Sequence, residues 1–197
     1  TTTMTKLDSD GNVTWTKVLD TGLGNTISGM VPTSDGGFVT AGSVATTHSY
    51  CTLNYQARFI RFTGTGEILW DRVFTTGEGN VWEIIGMHDG GFAALIDGSK
   101  INRMDPDGRT VWNRSTGYAS LYGSRSVIGE TGDGGLVVAG PVFVKFDSDG
   151  NILWQRPGIN ESDWGFFSII ELGSDQGYII FSSENINEIR KLHFDLN

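Results

Sequence analysis

The chain has 197 residues, 38% of them hydrophobic and 19% charged, with a formal net charge of −9. That balance fits a folded globular chain and argues against nucleic-acid binding or attachment to anionic lipid, both of which need clustered Lys and Arg. No apolar run is long enough to span a membrane, and a single cysteine, Cys51, excludes an internal disulfide.

Twenty-eight glycines against four prolines point to many tight turns. Apolar residues alternate or come in short runs and never fall at helical spacing, so the expectation is strands throughout. The opening Thr1-Thr2-Thr3, in place of Met, is expected to be a processed or trimmed N-terminus.

The first predicted element is a hairpin, Lys6-Leu7-Asp8-Ser9-Asp10-Gly11-Asn12-Val13-Thr14-Trp15. Alternation on both sides of an Asp-x-Asp-Gly turn carries that reading. A second kind of hairpin follows: Met30-Val31, then Asp35-Gly36-Gly37, then Phe38-Val39. Its paired glycines supply the positive φ that a tight turn needs. Ser43 to Ala57 is extra sequence, expected to be a surface excursion and not a further unit.

The two hairpins then repeat in order. Arg61 to Trp70 is a looser copy of the first kind, and Asp89-Gly90-Gly91 turns the second kind between Ile84-Ile85 and Phe92-Ala93-Ala94-Leu95. Arg103 to Trp112 and Lys145 to Trp154 are the next copies of the first. Asp133-Gly134-Gly135 and the variant Asp175-Gln176-Gly177 turn the next two of the second. Continuous apolar runs beside these turns predict strands covered on both faces.

One unit is therefore four strands. Trp70, Trp112 and Trp154 are 42 residues apart, whereas Trp15 precedes Trp70 by 55, the difference being the excursion. Four strands in about 42 residues is the size of a propeller blade. The chain resembles the Asp-Gly-Gly repeat β-propellers of secreted and cell-surface bacterial and archaeal proteins. Its Trp hairpins are similar to the outer hairpins of quinoprotein-type propellers, without a quinone or metal sequence. The resemblance implies a blade with inner strands A and B around the Asp-Gly-Gly turn and outer strands C and D around the Trp hairpin. It also implies an extracellular or cell-surface address.

The expected fold is all-β: one domain over 1–197, a four-bladed β-propeller of four-stranded antiparallel blades. Its units are 1–20 with 164–197, 26–74, 80–115 and 123–157, closed by strands from both termini. Strand C occurs a fifth time, at Ile189-Arg190-Lys191-Leu192-His193, so one terminal strand is surplus. Met4, Lys6 and Leu7 in the first copy, and Ile189, Lys191 and Leu192 in the last, are the candidate assembly strands, because an unpaired edge is a template for another chain.

Other candidates are weighed against plainer roles. Asp-x-Asp-Gly could begin a calcium loop, but the remaining ligands are missing and turn chemistry is preferred. The four repeated Trp could line a sugar site, but their fixed place favours packing between blades. Basic residues on strand C (Lys6, Arg61, Arg103, Lys145, Lys191) and two after each Trp (Lys17, Arg72, Arg114, Arg156) are expected on a solvated, ion-paired outer face. His48, Tyr50, Cys51 and Trp164 are candidate surface contacts, and Asn12, Asn113 and Asn160 head Asn-x-Ser/Thr triplets suited to glycans. No nucleophile triad, phosphate loop or metal cluster is evident, so catalytic, cofactor and metal residues are expected to be none.

The function read from this is a non-enzymatic extracellular structural or adhesive module that self-associates into a filament or surface array by exchanging a terminal strand. The alternative is a carbohydrate-type ligand binder, with a hydrolase or lyase the weakest reading.

Overall fold

The computed structural model describes residues 2–19, 26–49, 52–117, 126–158, 166–173, 177–182 and 189–192. All seventeen of its elements are strands. β1 (Thr2–Leu7) and β2 (Val13–Leu19) form a two-stranded sheet. Then come β3 (Thr26–Pro32), β4 (Phe38–Ser49), β5 (Thr52–Phe62) and β6 (Ile68–Glu78) as a second sheet. The third holds β7 (Val81–Gly86), β8 (Phe92–Ile96), β9 (Lys100–Met104) and β10 (Thr110–Ser115). The fourth holds β11 (Val127–Glu130), β12 (Leu136–Ala139), β13 (Val142–Phe146) and β14 (Ile152–Pro157). β15 (Phe166–Glu171), β16 (Tyr178–Ser182) and β17 (Ile189–Leu192) make a three-stranded fifth sheet.

Every pairing is antiparallel and follows sequence order. The first strands of the second to fifth sheets, β3, β7, β11 and β15, lie beside one another in that order. The sheets therefore stand like blades, inner strands together and outer strands apart.

Packing follows from the apolar runs. On β8, Phe92, Ala94 and Ile96 face the second sheet, while Ala93 and Leu95 face the fourth. On β12, Leu136 and Val138 face the third sheet, and Val137 and Ala139 the fifth. Side chains alternate across a strand, so a strand covered on both faces must be apolar at every position.

Two expectations change. Ser43 and Ala57 belong to the core and not to the excursion: both are buried, and Ser43 Oγ accepts a bond from Val81 N of the next sheet. β4 and β5 continue as a paired ladder to Ser49 and Thr52, so the extra sequence is a lengthened hairpin. The expected closure through both termini is not seen among the described residues. β1 pairs with β2 alone, and the place beside β16 that a closing C strand would take is held by β17.

The third and fourth sheets meet across Trp112, 7% exposed, whose ring stacks on Phe146 at 6.0 Å and whose Nε1 donates to Ser148 O. Trp112→Ala should cost about 3–5 kcal/mol through lost burial and the cavity left behind. Urea melts of the variant measure it.

Candidate interaction site

Charged groups within each sheet come first. The aspartate of each described Asp-Gly-Gly turn pairs with the basic residue of strand C: Arg61 with Asp35 at 2.7 Å, Arg103 with Asp89, and Lys145 with Asp133 at 2.8 Å. The cations are not on a solvated face. Their side chains are 10%, 7% and 14% exposed, under the turn that caps strands A and B. Arg61 also donates to Phe62 O, and Arg103 to Phe92 O and Met104 O, so each guanidinium ties the A–B turn to the strand that leads into the C–D turn. Lys145 lies 3.9 Å from Glu171 of the fifth sheet, whose other carboxylate oxygen accepts from Gly132 N.

These contacts shift the carboxyls. The guanidinium of Arg61, helped by Thr33 and the Gly37 N–H, holds Asp35 well below the usual carboxylate range. Burial alone would raise Asp133, but bonds from Lys145, Thr131 and Gly135 N bring it down to about 2.

The C–D turns use their own carboxylates. Asp8 Oδ1 accepts from Asp10 N and Asn12 N, and Asp147 Oδ1 from Asp149 N and Asn151 N. The Asn12 and Asn151 amides donate to the second oxygen of each. This is Asx-turn chemistry. Among the described residues no group of His, Cys, Asp and Glu is placed to hold a metal ion.

Sheet-to-sheet contacts repeat as well. A Cβ on Gly66 would lie 2.9 Å from the Trp15 ring, one on Gly108 2.6 Å from Trp70, and one on Gly150 2.7 Å from Trp112. Each tryptophan ring therefore lies against the turn glycine of the following sheet. That glycine is required twice, since its φ is +73° to +79° and the indole leaves no room for a side chain. The basic residue two positions later seals the contact: Arg72 donates to Gly108 O, Arg114 to Gly150 O, and Lys17 pairs with Glu67 at 2.5 Å. Lys17, Arg72 and Arg114 thus bridge neighbouring sheets, Arg114 while still exposed, whereas Arg156 is exposed and donates to Gln155 O.

The first boundary is incomplete. The two-stranded sheet offers Met4 and Leu19 to Ile60, Phe62 and Phe38, and among the described residues it consists of β1 and β2 alone. A cavity of about 290 Å³ lies there, lined by Met4, Lys6, Trp15, Met30, Pro32 and Phe38 among others. Met30 is 60% exposed beside it. At the next boundaries the same space is filled by β4 residues Val39 and Ala41 and by β8 residues Ala93 and Leu95. Met4, Thr5 and Lys6 of β1 line this space, and among the described residues β1 pairs with β2 alone.

Of the residues singled out from sequence, Met4 packs into that boundary, Lys6 donates to Gly64 O across it, and Leu7 is exposed. Ile189, Lys191 and Leu192 form β17, opposite Phe181, Ile179 and Tyr178. Asn12 sits in the first C–D turn and Asn113 on β10, both exposed. His48 lies on β4, with its side chain outside the described residues. Tyr50, Cys51, Asn160 and Trp164 are outside them altogether. Trp154 packs edge-on against Tyr178 at 5.9 Å. Sequence reading missed the Asp-to-cation clamp and the indole-on-glycine seat. Both had a signal in the fixed spacing of the paired residue types through the repeats.

Comparison with solved structures places the fold among β-propellers. BamB from Moraxella catarrhalis matches with a TM-score of 0.57 at 16% identity, over 87% of this chain and 50% of that one. The WD40 β-propeller domain of Doa1 matches at 0.60 and 13% identity, over 89% and 53%. The Neurospora crassa Pan2 WD40 domain gives 0.55 and 10%, over 80% and 44%. The chain thus spans about half the length of the propellers it matches. No protein-family model matches it, and no curated protein does.

Two outcomes test the clamp. Arg103→Ala should destabilise the chain by about 1–3 kcal/mol, because it strands buried carbonyls. Arg156→Ala, on an exposed strand end, should stay within about 0.5 kcal/mol in the same urea melts. The depressed pKa of Asp133 means that the folded chain holds the carboxylate more tightly than the unfolded chain does. Its contribution is complete above the ordinary value of 3.8 and is lost as pH falls toward about 2. Asp133→Asn should flatten that part of the stability-against-pH curve.

Proposed function

We propose that this chain is a non-enzymatic interaction propeller whose first sheet accepts an added strand along β1. The observation that carries the reading is the pairing of an open strand edge with an apolar cavity at the same place. Backbone groups on the edge give a peptide strand its ladder, and Met4, Met30 and Phe38 give alternate side chains a surface to cover. The repeated charged residues are engaged in holding turns and sheets, which supports a structural use of them over a catalytic one.

The fuller reading is an extracellular or cell-surface structural or adhesive module, associating with its own kind through terminal strands. Open-ended exchange would build a filament or surface array, and a closed exchange a ring. Glycans on Asn12, Asn113 and Asn160 would suit that address. A carbohydrate-type ligand is the alternative, and the lengthened β4–β5 hairpin is the protruding element it would use.

A synthetic peptide of residues 176–183, the chain's own strand B sequence, should bind and slow hydrogen exchange at residues 2–7. Met30→Glu, a change at an exposed position, should abolish binding while leaving the thermal midpoint nearly unchanged. Absence of both binding and protection would overturn the reading.

A further inference from the structure

We infer that the outer rim formed by the C–D hairpins is a second docking surface, and that its partner is a basic amphipathic segment of another protein, with aliphatic residues interleaved with Lys or Arg. The inference does not rest on the strand-accepting reading of β1.

The first ground is a repeated bulge. Leu7 lies opposite Val13 and Lys6 opposite Trp15, which leaves Thr14 without a ladder partner. The same shift leaves out Leu69 on β6, Val111 on β10 and Leu153 on β14. A bulge re-aims side chains. Here the indoles of Trp15, Trp70 and Trp112 go to the turn glycine of the following sheet, and the residue before each goes to solvent. Nothing in the fold asks that residue to be apolar. Thr14 serves in the first sheet, its Oγ1 donating to Lys6 O. Yet Leu69, Val111 and Leu153 are aliphatic, and so are Val13, Ile68 and Ile152 beside the bulges, all of them 50% to 62% exposed. A single exposed aliphatic residue needs no explanation, but a set at matched places in four sheets does.

The second ground is contiguity. Each of those indoles reaches the turn that opens the next D strand. That contact sets the starts of successive D strands next to one another, so the aliphatic residues form a row along the rim.

The third ground is charge. The turn leading into each D strand is acidic: Asp8 and Asp10 precede Val13, Glu67 precedes Ile68, Asp105 and Asp107 precede Val111, and Asp147 and Asp149 precede Ile152. Glu67 pairs with Lys17, and Arg109 meets Asp105 and Asp107. Among the described residues Asp8, Asp10, Asp147 and Asp149 have no cation partner, and the carboxylates of Asp8 and Asp147 accept only from N–H groups of their own turns. Arg72 and Arg114 lie further along their strands and are tied to carbonyls of the following sheet. The charge left open beside the aliphatic row is therefore negative.

These grounds select the partner. The bulge breaks the ladder at the edge an added strand would need, so docking here is through side chains. A second copy of this chain, with a net charge of −9, would bring acidic turns against acidic turns. An anionic membrane is repelled in the same way. Aliphatic side chains with Lys or Arg between them satisfy both the row and the turns.

The test uses the 197-residue chain and a short synthetic peptide in which leucine alternates with lysine. The peptide should shift the methyl NMR signals of Leu69, Val111 and Leu153, and should bind less tightly as salt is added. Leu69→Thr with Leu153→Thr should weaken binding about tenfold. Circular dichroism should stay unchanged, because Thr14 already occupies the same bulge. Asp149→Asn should weaken binding about threefold at low salt. A peptide with serine in place of leucine should not bind, nor should one with glutamate in place of lysine. Equal binding of either control, or binding insensitive to the two threonine changes, would overturn the inference. Self-association of the chain, or attachment to phosphatidylcholine vesicles, that the same two changes abolish would overturn it too, by naming a different occupant. Met30→Glu, which removes the 176–183 peptide from β1, should leave this binding intact. Loss of both by that one change would reduce the two surfaces to the β1 site and remove this one.

Discussion

An indole lying on the turn glycine of the next sheet is the contact that sets the sheets side by side. It works only because a turn with positive φ exposes a flat patch of backbone, and because glycine leaves that patch bare. The 42-residue period is the chain length between one such partner and the next. A second device acts inside each sheet, where a nearly buried cation draws the A–B turn down onto strand C. Aromatic contacts thus join neighbours, and ion pairs shape individuals.

The sequence made strands, turns and repeats legible because each is a local property. Asp-x-Asp-Gly closes its own hairpin, and Phe92 to Ile96 can be apolar throughout only if both faces are covered. Burial of Arg61, Arg103 and Lys145 was not legible. A basic residue in an alternating strand reads as solvent-facing, and only the approach of a turn from the same sheet buries it. The edges of the excursion failed for a related reason. Ser43 and Ala57 continue a ladder whose buried part has no composition signal of its own.

Ring closure, expected from the strand count, is not seen among the described residues. Counting strands gives the number of sheets, but not the angle turned from one to the next. That angle comes from how side chains such as Trp112, Leu136 and Ile128 fill the wedge between sheets, which no repeat count contains. Among the described residues the first sheet has two strands, and the space beside Met4 and Met30 is open where inner strands fill the later wedges.

The two-sided strands also carry a parity constraint. Adding one residue to the middle of β8 would send Ala93 and Leu95 toward the wrong neighbour and shift two cores at once. Length can change at little cost only where both arms of a hairpin grow together beyond the cores, or by a whole unit. The β4–β5 hairpin is the first kind of change: both arms lengthen past Ser43 and Ala57, and the one extra residue on β4 is taken up as a bulge between Ala45 and Thr47, beyond the cores. Variation in such a chain comes in discrete sizes, and the places open to new surface are the hairpin ends, never the middle of a blade.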